Sequence, residues 1–136
     1  MKKYLSIILL SCFIKADIII APNDLPARIQ DFIKTNFKAN IGLALQDDNT
    51  YEVYLSDGTE LEFFLDGDYK EIETKNKPIN WNILPTNISL IIQNKYPQAF
   101  LIEIEKKINH YEIKLSNNMK IYIDSNGTIL REKFDD

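Results

Sequence analysis

Cysteine is nearly absent from this chain of 136 residues: Cys12 stands alone. One thiol excludes an internal disulfide and a multi-cysteine metal site, so packing must hold the fold together. Histidine is equally scarce. His110 opens a strand-like stretch with no paired nucleophile, and it reads as a surface residue rather than a general base. The four glycines form no phosphate-cradling run and sit mainly in turns. Basic residues are outnumbered, 16 Lys and Arg against 20 Asp and Glu, for a net charge of −4. That balance lacks the basic footprint of a nucleic-acid binder and speaks against electrostatic docking on anionic lipid. Carboxylates are plentiful, yet none is singled out by an apolar setting that would fit it for acid–base work. Asp124-Ser125-Asn126-Gly127 has the opening of a calcium loop but not the distal Glu, so it reads as a hairpin turn. No enzyme is expected, and no cofactor or metal is implied.

The N-terminus has the form of an export signal. Met1-Lys2-Lys3 is a positive start, Tyr4 to Ile14 an apolar stretch too short to span a membrane, and Ala16 a small residue for cleavage. A buried N-terminal helix or a retained anchor is the alternative. Leu9-Leu10-Ser11-Cys12 resembles a bacterial lipobox that would lipidate Cys12, but the stretch before it is short for that class. Residues 1–16 are therefore read as a signal peptide. Without them, 13 basic residues face 20 acidic ones, a net charge of −7. The expected location is periplasmic or otherwise extracytoplasmic, with no membrane span in residues 17–136.

What the chain does have is a repeat. Leu25-Pro26 returns as Leu84-Pro85. Ile29, Phe32, Ile33 and Phe37 return as Ile88, Ile91, Ile92 and Tyr96. Ile41, Leu43 and Leu45 return as Phe100, Ile102 and Ile104, with one extra residue before Tyr111. Tyr51-Glu52-Val53-Tyr54-Leu55 returns as Tyr111-Glu112-Ile113-Lys114-Leu115, and Leu61, Phe63 and Gly67 return as Ile121, Ile123 and Gly127. One copy of roughly 60 residues would be marginal alone, because small domains bury too little of their surface, so the two are expected to share a core.

Pro26 suits a helix's first turn, and the apolar residues after it fall at helical spacing. Three alternating stretches follow, joined by Asp47-Asp48-Asn49 and by Ser56-Asp57-Gly58-Thr59, whose Asp-Gly favours a tight hairpin. Asp66-Gly67-Asp68 turns into a fourth strand, Tyr69 to Glu73. The expected fold is α+β: two tandem units of one helix and four antiparallel strands, with the helices on one face and the two sheets able to join edge to edge. The boundaries are 25–73 for repeat one, 74–83 for a linker and 84–133 for repeat two. Trp81, in the linker, is expected to anchor against the shared core.

The order Leu-Pro, helix, Tyr-Glu-Val/Ile-x-Leu, turn, strand and Gly turn resembles the bacterial PepSY-like family, similar in fold to beta-lactamase-inhibitor protein. Leu25-Pro26, Tyr51 to Phe63, Asp66 to Ile72, Leu84-Pro85, Tyr96-Pro97 and Tyr111 to Leu115 carry the resemblance. It implies an exported domain whose sheet has helices on one face and an open face for a partner. It supplies no catalytic residue, and the inhibitor's disulfides are absent here.

If Val53, Leu55, Leu61 and Phe63 face the helices, then Glu52, Tyr54, Glu60, Glu62 and Phe64 face outward. Glu103, Glu105, Glu112, Lys114, Lys120 and Tyr122 share that face, together with Leu101. Aromatics among carboxylates suit a contact surface, with a solvated sheet face as the plain alternative. The expected function is non-catalytic binding of an envelope protein or peptide, with Tyr54, Phe64 and Tyr122 as anchors and Glu62 and Glu112 as selectors. The alternative is inhibition or regulation of an envelope protease or other hydrolase. Nothing in the sequence requires two copies to pair.

Overall fold

The computed structural model describes residues 17–135; the expected signal segment, including Cys12, lies outside the described residues. Along the chain run β1 (Ile18–Ile20), α1 (Ala27–Asn36), β2 (Ile41–Gln46), β3 (Thr50–Leu55), β4 (Glu60–Phe64) and β5 (Tyr69–Glu73). Then come α2 (Thr86–Lys95), β6 (Leu101–Lys106), β7 (His110–Leu115), β8 (Met119–Asp124) and β9 (Ile129–Phe134). The strands form one antiparallel nine-stranded sheet in sequence order, from β1 at one edge to β9 at the other. Among the described residues the fold is thus α+β, with two α-helices and an open sheet. β1 was not expected from the sequence, because its isoleucines follow the apolar leader so closely that they blur into it.

The helices start where proline costs least. Pro26 and Pro85 cap α1 and α2, and Pro26 accepts from the amides of Ile29 and Gln30. Extended backbone at Phe37 ends α1, and α2 ends just before Tyr96-Pro97. Ile29, Ile33, Ile88 and Ile92 are buried in one core with Val53, Leu61, Phe63, Ile72, Ile113, Ile121 and Ile123. Phe32 meets Phe63 edge-on and stacks on Tyr69, each at 5.6 Å between ring centroids.

The linker is tied to this core rather than looped away from it. Ile79 is buried and donates its amide to Leu101, and Thr74 donates both its amide and hydroxyl to the Ile102 carbonyl. Trp81 packs against the core, and its carbonyl accepts from the Ser89 hydroxyl at 2.7 Å.

The turns repeat one device, a side-chain oxygen capping the backbone N–H two residues on. Asp47 accepts from Asn49, Asp57 from Thr59, Asp66 from Asp68, Asn117 from Met119 and Asp124 from Asn126. Asp124-Ser125-Asn126-Gly127 is therefore a hairpin turn, with Gly127 at φ +87°.

Four register slips interrupt the sheet; those between β4 and β5 and between β8 and β9 fall at Glu62/Phe63 and Tyr122/Ile123, and the other two move residues off the faces that plain alternation gives them. The register between β2 and β3 slips between Ile41 and Leu43, and between β6 and β7 it slips between Leu101 and Glu103. Ala44, not Leu43 or Leu45, takes the core position opposite Val53, while Leu43 is exposed. Ile104 sits opposite Ile113 in the same way, so Ala44 rather than Leu45 matches Ile104, and the following loops need no extra residue. Leu101, expected on the outer face, is fully buried.

Candidate functional site on the open sheet face

Because side chains alternate across a strand, the positions between the core residues form a second, polar face. Reading the register across the strands places its side chains in rows. One row runs Ile19, Leu45, Glu52, Glu62, Glu71, Glu105, Glu112, Tyr122 and Arg131. Its five glutamates lie directly opposite one another, at the roughly 4.8 Å spacing of neighbouring strands. The next row runs Leu43, Tyr54, Glu60, Glu73, Glu103, Lys114, Lys120 and Lys133. Like charges directly opposite destabilise a sheet, so the fold carries this arrangement at a cost.

Lysines offset part of that charge. Lys70 lies 3.6 Å from Glu62, Lys107 2.8 Å from Glu105, Lys120 3.7 Å from Glu112 and Lys114 3.7 Å from Glu103. The Tyr54 hydroxyl donates to Glu52 at 3.1 Å. Glu71 and Glu73, on the central strand β5, have no cationic partner within ion-pair distance among the described residues. Burial, then the charges of Glu105 and Glu62, hold the Glu71 carboxyl above its ordinary pKa. Burial and Glu73 raise Glu103 likewise, against the opposing pull of Lys114 and Lys120. Two depressions mark the face, and Glu71 lines both. The first, of about 180 Å³, is bordered by Glu52, Tyr54, Glu60, Leu61, Glu62 and Glu73. The second is bordered by Glu103, Glu105, Glu112, Lys114 and Lys120, and neither helix contributes to either.

The five candidate contact residues all stand on this face but do not converge. Glu62, Glu112 and Tyr122 share the first row, Tyr54 is in the second, and Phe64 lies one step beyond Glu62 at the end of β4, opposite Thr50. Glu62 and Glu112 are three strands apart, about 14 Å. Tyr122 is flanked by Lys120 and Arg131, at 5.6 and 5.5 Å from its ring centroid. His110 contacts Glu112 at 3.2 Å. Glu71 and Glu73, and the outward apolar group Ile19, Leu43 and Leu45, join this face beyond the residues expected there from the sequence. The alternation of Glu71 and Glu73 about Ile72 was the available signal. Among the described residues, no group of three or more His, Cys, Asp or Glu is arranged to hold a metal ion, and no helix is long and apolar enough to cross a membrane.

Comparisons with known proteins agree with this architecture. A family model described as "Putative beta-lactamase-inhibitor-like, PepSY-like" matches residues 49–131. The chain is similar to the crystal structure of a "putative periplasmic protein" of the DUF2874 family from Bacteroides vulgatus. The identity is 29% and the TM-score 0.82, over 88% of this chain and 98% of the other. A "putative calcium-regulated periplasmic protein" from Bacteroides thetaiotaomicron is 28% identical with a TM-score of 0.80, over 86% and 96% of the two chains. A second Bacteroides vulgatus structure, a "putative periplasmic protein of unknown function", is 27% identical with a TM-score of 0.79, over 87% and 99%. No curated protein matches.

Proposed function

Because the chain belongs to the PepSY-like, beta-lactamase-inhibitor-like family, we propose that it is a non-catalytic exported module that holds an envelope protein or peptide on its open sheet face. The observation that carries this reading is the pair of rows on that face. Glutamates stand directly opposite one another there, two of them with no ion-pair partner among the described residues, and aromatics lie beside them. A partner that brought positive charge would relieve the repulsion the free protein bears. In this reading Tyr54, Phe64 and Tyr122 anchor, and Glu62 and Glu112 select.

Residues 1–16 act as the signal peptide, and the mature domain works in the periplasm, as the descriptions of its relatives suggest. The scaffold is read as two tandem units, 25–73 and 84–133, joined by 74–83. Matching contacts support that division: Arg28 of α1 donates to the Asp66 carbonyl, and Asn87 of α2 donates to the Ser125 carbonyl, each at a Gly turn.

The test is capture from envelope extract with the double variant Tyr54→Ala, Phe64→Ala. The expected result is loss of the captured partner with the fold retained, since Phe64 is exposed and Tyr54 half-buried. Unchanged capture would remove the face from consideration. A protease or other hydrolase among the captured proteins would make the module an inhibitor or regulator, a role the family description favours.

A further inference from the structure

The open face is ordered across its width. At one edge it is apolar: Ile19 is 73% exposed and Leu43 39%, with Leu45 between them. The centre is acidic, and around Glu71 and Glu73 that acidity is uncompensated among the described residues. Toward the far edge Lys114, Lys120 and Lys133 line up in the second row, beside Arg131 in the first. Lys114 pairs with Glu103 and Asp135 and Lys120 with Glu112, so Lys133 and Arg131 are the cations there without an ion pair among the described residues. Three bands of different chemistry thus follow one another at right angles to the strands.

We infer that this face seats an amphipathic α-helix of a partner protein, lying across the strands, whose contact side is apolar at one end, basic in the middle and acidic at the other. The inference rests on the open-face reading above and names the partner's chemistry. Charge complementarity sets the band order. Backbone accounting sets the conformation. An extended peptide laid on a sheet face leaves its amides and carbonyls without sheet partners, whereas a helix satisfies its own. Spacing agrees: a helix presents a side chain on one face about every 5.4 Å, close to the roughly 4.8 Å between strands, while an extended chain presents one about every 6.8 Å. From β2 to β8 the face spans about 29 Å, the length of a helix of roughly 20 residues.

Three synthetic peptides of about 20 residues, two of equal composition and the third differing by one residue, test this by fluorescence anisotropy with the purified protein. One is banded apolar–basic–acidic on one helical face, one has the bands permuted to basic–apolar–acidic, and one is banded but broken by a central proline. The banded helix is expected to bind at least about tenfold more tightly than either control. Its affinity should fall at least about tenfold with the double variant Glu71→Lys, Glu73→Lys, which relieves repulsion and so should keep its melting temperature. Equal binding of banded and permuted peptides, or no loss with the double variant, would overturn the inference. If the Tyr54, Phe64 variant abolishes native capture while the peptides bind alike, the face is a contact site for other chemistry and only this inference fails. If native capture also persists, the open-face reading fails with it.

Discussion

Glu71 stands between Glu62 on one neighbouring strand and Glu105 on the other. With its pKa above the unfolded value, the folded chain binds its proton more readily than the unfolded chain does. That contribution to stability is present at low pH and disappears as pH rises through the folded pKa. Glu103 acts in the same direction. Glu132 acts in the opposite one: hydrogen bonds from Lys95 and Tyr96 lower its pKa, and its contribution is lost as pH falls through that value. Glu71→Gln is therefore expected to raise the melting temperature by roughly 2 °C at about pH 7.5, less at high salt. The gain should shrink as pH falls toward the raised pKa of the native carboxyl, where the side chain takes up its proton. Thermal melts of both chains over a pH series from neutral into acid check this. Strand alternation made Glu62, Glu112 and Tyr122 legible in the sequence as outward residues. It did not reveal that Glu71 completes their row, because that depends on β5 pairing with β6 across a helix and a linker.

The elements that announced themselves did so through local chemistry: proline at a helix start, isoleucines at helical spacing, Asx turns between alternating stretches. The missed features depend on partners distant in sequence. β1 is three isoleucines that become a strand only by pairing with β2, and the bulge at Gly42 turns Leu43 outward where plain alternation sends it inward. Gly127 shows an element's dependence on its neighbour. Its φ is +87°, and a Cβ there would fall 2.5 Å from the Ile91 side chain of α2. Gly42 has no such φ, and a Cβ would meet only the Tyr54 carbonyl at 3.4 Å. Gly127→Ala is expected to cost about 1–3 kcal/mol in urea unfolding, clearly more than Gly42→Ala.

Over the whole molecule, the sheet ends on two edge strands, β1 and β9. β1 is short, and β9 turns a charge inward: Glu132 pairs with Ile121 in register and takes hydrogen bonds from Tyr96 and, at 2.5 Å, from Lys95. Tyr96 is in turn pushed up to about 12 by burial and by Glu132. An inward charge on an edge strand discourages edge-to-edge pairing. Glu132→Val should release Lys95 and Tyr96 and make the edge apolar. Sedimentation velocity is expected to show concentration-dependent self-association beyond that of the unaltered chain.

The strict sequence order of the nine strands also bears on how the molecule is made. A chain delivered N-terminus first, from a ribosome or through a pore, meets each new strand's partner already in place. No strand waits for one still to be synthesised, and the longest intervals between paired neighbours are those crossing the two helices. Assembly can keep pace with delivery, and exposed strand edges stay short-lived while the chain is incomplete.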